Sequence, residues 1–128
     1  MNKFSKTILI SSALLNGILG ILITFLPQET GLFIGTSEMN SADLALMQVL
    51  GSALIGIAII NFMSRGLTVG GIYGKPIQLG NLVFHLATGL GLLKFVFTSE
   101  SWIIFGIPAL LYLLITAGFI KLNFSSPV

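Results

Sequence analysis

Four apolar runs, each long enough to cross a lipid bilayer, take up most of this chain, at about residues 7–26, 43–64, 77–97 and 102–121. A helix rising 1.5 Å per residue needs about 20 residues to cross the hydrocarbon core, so 128 residues hold four such spans with short connections. In lipid the backbone must satisfy its own hydrogen bonds, which makes these runs helices. The expected fold is therefore all-α: one domain, 1–128, built as an integral membrane bundle of four antiparallel transmembrane helices. A composition of 55% hydrophobic and 8% charged residues agrees, as does a mean hydropathy of +1.03. The pI near 9.2 rests on six basic and four acidic residues, and a net charge of +2 is too small for a nucleic-acid partner. There is no cysteine, hence no disulfide, thiolate ligand or catalytic thiol.

Within the third run, QLGNLVFHLATGLGLLK from Gln78 to Lys94, four polar residues interrupt the apolar pattern. At about 100° per residue, Gln78, Asn81, His85 and Thr88 fall within an arc of roughly 80° and form one polar stripe. Such a stripe is costly against lipid, so the other helices should supply partners or line a small cavity. Lys94 lies nearly opposite, where its ammonium can snorkel to the headgroups.

Lys3 and Lys6 precede the first run, as in a signal peptide, but the apolar core is too long and no A-x-A site follows, so a retained first helix is expected. Ser12, Asn16 and Gly20 recur on one face of it, beside a small pair at Ala13 and Gly17 that admits a close neighbour. Pro27 should end that helix, leaving PQETGLFIGTSEMNSAD as a loop with an apolar insert at the interface. Asn40 with Asp43 reads as a capping box opening the second span. Along that span Ala45, Gln48, Ser52 and Gly56 share a face suited to tight packing, while Ala58, Asn61 and Arg65 gather on another toward the headgroup boundary.

The connection RGLTVGGIYGKP is Gly-rich and basic. It is not a phosphate loop, because the required Gly and Ser/Thr positions hold Val69 and Pro76; Pro76 instead suits the first turn of the third helix. Thr98 or Ser99 can cap the fourth helix, Trp102 fits an interfacial anchor, and Pro108 should kink the fourth span. Lys3, Lys6, Arg65, Lys75 and Lys121 fall on one side, and the four acidic residues with Lys94 on the other. The positive-inside rule then makes both termini cytoplasmic. Loose echoes, LNGILGIL with ATGLGLL and VLGSAL with IFGIPAL, raise an ancestral duplication of the two hairpins.

Counting residues from each helix end sets Asn16, Ser52, His85 and Tyr112 near the midplane, with Asn61 and Asn81 nearer the cytoplasmic side and Thr116 one turn from Tyr112. Two explanations fit. The first is interhelical hydrogen bonding among amide, hydroxyl and imidazole groups. The second is a small pocket for a ligand, lipid headgroup, quinone or proton, with His85, Asn81, Thr88, Asn16, Ser52, Tyr112, Asn61 and Gln48 as candidate ligand-binding residues. With one histidine, no cysteine and no intramembrane acid, a single chain cannot complete an ordinary metal or haem site, which leaves only a bis-His haem shared by two copies. No nucleophile, base and orienting carboxylate occur together in the spans, and there is no intramembrane carboxylate or charge pair for coupled ion transport.

The layout resembles the small four-helix membrane proteins of the DoxX-like group. The residues concerned are FLP at Phe25 to Pro27, LMQVLGSALIGIAIINF from Leu46 to Phe62, and NLVFH from Asn81 to His85. The resemblance implies a bacterial inner-membrane protein and a link to quinones or to partner complexes of oxidoreductases. The reading is a non-catalytic binding or accessory subunit whose partners are the bilayer and either other membrane subunits or further copies of itself. The alternatives are a quinone-linked accessory subunit of an oxidoreductase and an oligomeric small transporter or channel.

Overall fold

The computed structural model describes residues 3–67, 72 and 74–125, and among these all regular structure is helical. Four long helices, α1 (Lys3–Phe25), α3 (Ser41–Ser64), α4 (Lys75–Thr98) and α5 (Trp102–Ser125), are joined by one short helix, α2 (Pro27–Phe33). At 23 or 24 residues each, the long helices run about 35 Å, slightly more than the hydrocarbon core. All four are apolar enough to cross a membrane, so the chain is a small multi-pass membrane protein. They extend past several of the expected bounds, because a helix continues through the interface wherever its backbone finds no better partner. Within the Gly-rich connection Thr68, Val69, Gly70, Gly71 and Tyr73 lie outside the described residues.

One correction concerns the segment after Pro27. It was expected to be a loop, but it begins with the helix α2, for which Pro27 supplies a preset φ at a position that needs no N–H. Thr30 N–H reaches Leu26 O, and Thr36 N–H reaches Gly31 O, which closes the turn. Gly35 then takes φ +99°, a conformation glycine adopts without strain, and Leu32 and Phe33 stay exposed. The capping box expected next is present in full: Asp43 N–H donates to Asn40 Oδ1 (2.9 Å) and Asn40 N–H to Asp43 Oδ2 (3.1 Å). Between α4 and α5 the hydroxyls work differently from expectation. Thr98 Oγ1 bonds back to Lys94 O, and Ser99 Oγ accepts the Ser101 N–H just before α5 begins. α5 runs unbroken through Pro108.

By contacts the chain divides into two units, Met1–Ile8 with Arg65–Val128, and Leu9–Ser64. In the first unit α4 and α5 form an antiparallel hairpin, from Lys75 beside Asn123 at one end to Phe95 beside Phe105 (centroids 5.6 Å) at the other. The opening turns of α1 lie against α5 antiparallel to it, with Phe4 under Lys121 and Ile8 against Gly118. In the second unit α1 and α3 are antiparallel and very close. A Cβ on Gly20 would stand 2.9 Å from Gly51 O, and one on Gly51 would collide with Thr24 Oγ1. The packing face of α3 is thus Gly51, Leu54, Ala58, Asn61 and Ser64. This corrects the expectation that Ala45, Gln48, Ser52 and Gly56 form the tight face. Both faces carry small residues, and the one opposite Gly20 and Ser12 is selected because backbone approach needs a small residue on both partners.

Adding a branched side chain at this crossing should push α1 and α3 apart. Gly20→Val is expected to cost about 1–3 kcal/mol, as other overpacking changes do. Gly56→Ala, where nothing lies within 4 Å, should be neutral or slightly stabilising. Thermal unfolding of both variants in the same detergent checks this.

Candidate functional site

The polar residues of the long helices form two buried groups, one in each unit. In the first unit the stripe on α4 points inward as its spacing requires: Gln78, Asn81, His85 and Gly89 are buried, and Thr88 sits half-buried at the margin. Asn81 Nδ2 donates to Ile77 O (2.9 Å). His85 Nδ1 lies 2.7 Å from Asn81 O, and since a carbonyl only accepts, the proton is on Nδ1. In the neutral ring Nε2 is then the acceptor or ligand atom.

Around His85, which is fully buried, stand three aromatic rings. Phe84 meets it edge-on at 5.0 Å, while Tyr112 and Phe119 of α5 lie tilted against it at 5.6 and 5.3 Å. Tyr112 also meets Phe84 edge-on at 6.1 Å, in the range favoured by the ring quadrupoles. Thr116 Oγ1 closes the set by donating to Tyr112 O (2.7 Å). A short helix-facing residue makes this closeness feasible: a Cβ on Gly89 would overlap the Leu113 side chain. The geometry can hold a proton on an imidazole beside a phenol, and neither α4 nor α5 carries an acidic residue. Among the described residues no three of His, Asp, Glu or Cys come together as a metal site.

The second group centres on a hydroxyl. Ser12 Oγ accepts from Asn61 Nδ2 across the α1–α3 crossing (2.8 Å) and from Asn16 Nδ2 one turn along α1 (3.1 Å). The Asn16 amide also donates to Ser12 O (2.9 Å). All three residues are fully buried. Two amides converging on one hydroxyl tie two helices together at a depth where water is scarce.

The candidate residues therefore separate. His85, Asn81 and Tyr112, with Thr88 at the edge, belong to the first group, and Asn16 and Asn61 to the second. Ser52 and Gln48 belong to neither, being exposed on α3, where Ser52 Oγ donates back to Gln48 O (2.8 Å). Depth along an axis placed Ser52 beside Asn16, but depth says nothing of azimuth, and Ser52 points away from the face that packs. Ser12, Phe84 and Phe119 are central to the two groups and were not among the candidates. The i, i+4 spacing of Ser12 and Asn16 was the available signal for the first, whereas phenylalanines in an apolar span carry none.

Comparison with protein-family models, curated proteins and solved structures finds no match for this chain.

Removing the shared hydroxyl takes one acceptor from each of two buried amides. Ser12→Ala should destabilise the protein by about 1–2 kcal/mol, and Ser52→Ala by less than about 0.5 kcal/mol. Equal effects in denaturant titrations in detergent would contradict this account of the α1–α3 crossing.

Proposed function

We propose that this chain is a non-catalytic binding or accessory subunit of the bacterial inner membrane, of the DoxX-like kind that its sequence resembles. The observation that carries the proposal is the complete burial of His85 among rings of its own hairpin, with its Nδ1–H committed to a backbone carbonyl. An imidazole so enclosed serves first to hold α4 and α5 in register. Apart from Gln48 and Ser52 on α3, the outward faces of the long helices are largely apolar: Leu46, Val49, Val83, Leu114 and many others are more than half exposed. Those faces are what the protein offers to lipid and to other membrane proteins, and an accessory subunit needs no more.

The proposed orientation has both termini and the Arg65–Lys75 connection in the cytoplasm. Its support is the charge bias together with the juxtaposition of Lys75 and Lys121 at one end of the α4–α5 hairpin. Cysteine introduced at Ser37 should react with an impermeant maleimide in intact cells, and cysteine at Leu67 only after permeabilisation. The opposite labelling would reverse the topology.

Replacing His85 separates a structural histidine from a ligand-binding one. His85→Gln and His85→Asn keep a polar group and should preserve folding and whatever copurifies in mild detergent, while His85→Leu should lower stability by about 1–3 kcal/mol. A bound quinone or haem that disappears in His85→Gln, at unchanged thermal stability, would overturn the proposal in favour of a redox-linked subunit.

A further inference from the structure

Ala45, Gln48, Ser52 and Gly56 recur along α3 within an arc of about 80°, roughly 160° around the helix from the Gly51–Asn61 face that packs on α1. Ala45, Gln48 and Ser52 are exposed, and nothing lies within 4 Å of where a Cβ on Gly56 would stand. Gln48 is the anomaly on this face. Asn16, Asn61, Gln78 and Asn81 are amides within other stretches of the spans, and each of them is buried. Ser52 Oγ bonds back to the Gln48 carbonyl, and among the described residues the Gln48 side-chain amide makes no hydrogen bond.

Depth makes that exposure costly. Gln48 lies about 10 Å along α3 from Ser41 and Ser52 about 16 Å, in a helix of about 35 Å, so both stand within the hydrocarbon. Acyl chains offer neither donor nor acceptor, and an amide at that depth draws its partner from another helix. Copies of one membrane protein insert with the same orientation, so the two-fold axis of a dimer lies along the bilayer normal, and each residue beside it meets its own copy at equal depth. A face used in this way must complement itself. Gln48 does, since its amide both donates and accepts. Ala45, Ser52 and Gly56 are small on both copies at once, which is the condition that Gly20 and Gly51 meet at the α1–α3 crossing. Asp43, the acid of α3, lies on the other side of the helix in the cap. The exposed side of α4 fails the same requirement, because it would set Lys94 against Lys94.

We propose that the Ala45–Gly56 face of α3 is the contact between two copies of this chain, with the two α3 helices parallel and the two Gln48 amides hydrogen-bonded to each other across the two-fold axis. Small residues on both sides let the helix axes approach to about 8 Å. Ser52, near the middle of α3, stands where the two backbones come closest. This pairing requires that the chain spans a membrane and is independent of the role given to His85.

The full chain has no cysteine, so a single introduced thiol reports on one position. In membranes treated with copper phenanthroline, Ser52→Cys should form a disulfide-linked dimer in high yield. Leu50→Cys, on the other side of α3, and Val83→Cys, on α4, are equally open to collision and should form little. Energy transfer between labelled chains diluted in lipid vesicles then measures the association. Gln48→Leu removes both amide bonds across the axis and should raise the dimer dissociation constant about tenfold, whereas Gln48→Asn, which keeps an amide, should raise it less than about threefold. Both change an exposed side chain, and an unaltered helical circular dichroism spectrum shows that the fold persists. Equal cross-linking at the three positions, a monomer at every dilution, or undiminished association of Gln48→Leu overturns the proposal. Cross-linking of Ser52→Cys only to a different protein also overturns it, since the face would then belong to another partner.

Discussion

A polar side chain in the bilayer interior has no water to fall back on, and the protein must supply every partner it needs. That constraint governs how these helices pair. The Ser12 hydroxyl can accept from Asn61 only if α1 and α3 approach closely, and they approach closely only because Gly20 and Gly51 face one another. Lipid tails give no hydrophobic drive for helices to associate, so close backbone packing and the hydrogen bonds it permits are the remaining sources of specificity. The small residues and the polar residues of the second unit are two parts of a single device.

In the first unit the same problem is met with aromatic surface. His85 lies against Phe84, Tyr112 and Phe119, and its Nδ1–H is satisfied by its own helix. Back-bonding to the carbonyl four residues earlier recurs at Asn81, Thr116, Thr98 and Ser52. It lets a polar residue sit on a membrane helix without a neighbour, which is why an isolated hydroxyl or amide in an apolar run is weak testimony for a binding site. What distinguishes the two buried groups is the addition of contacts between helices.

The ends of the helices follow different physics. There, water and headgroups are present, and charge replaces packing as the organising quantity. Lysines at the starts of α1 and α4 oppose the helix dipoles. The opposite connection uses neutral and acidic groups, including the Asn40–Asp43 cap, in which Asn40 Oδ1 accepts the Asp43 N–H in the first turn of α3.

Much of this protein was legible from residue order alone, because spacing and chemistry act locally. Four apolar runs dictated four long helices, the 3.6-residue repeat placed Gln78, Asn81 and His85 on one face, and Asn40 with Asp43 marked a helix start. The short helix after Pro27 escaped, since seven mixed residues carry no periodic signal and their backbone bonds are settled by the closing turn at Gly35. The tertiary structure decided what depends on azimuth between helices. It chose the Gly51–Asn61 face of α3 over the Gln48–Ser52 face, made Ser12 the shared acceptor, and surrounded His85 with rings. A helix can display two plausible faces in its sequence, and only the shape of the neighbouring helix determines which of them is buried.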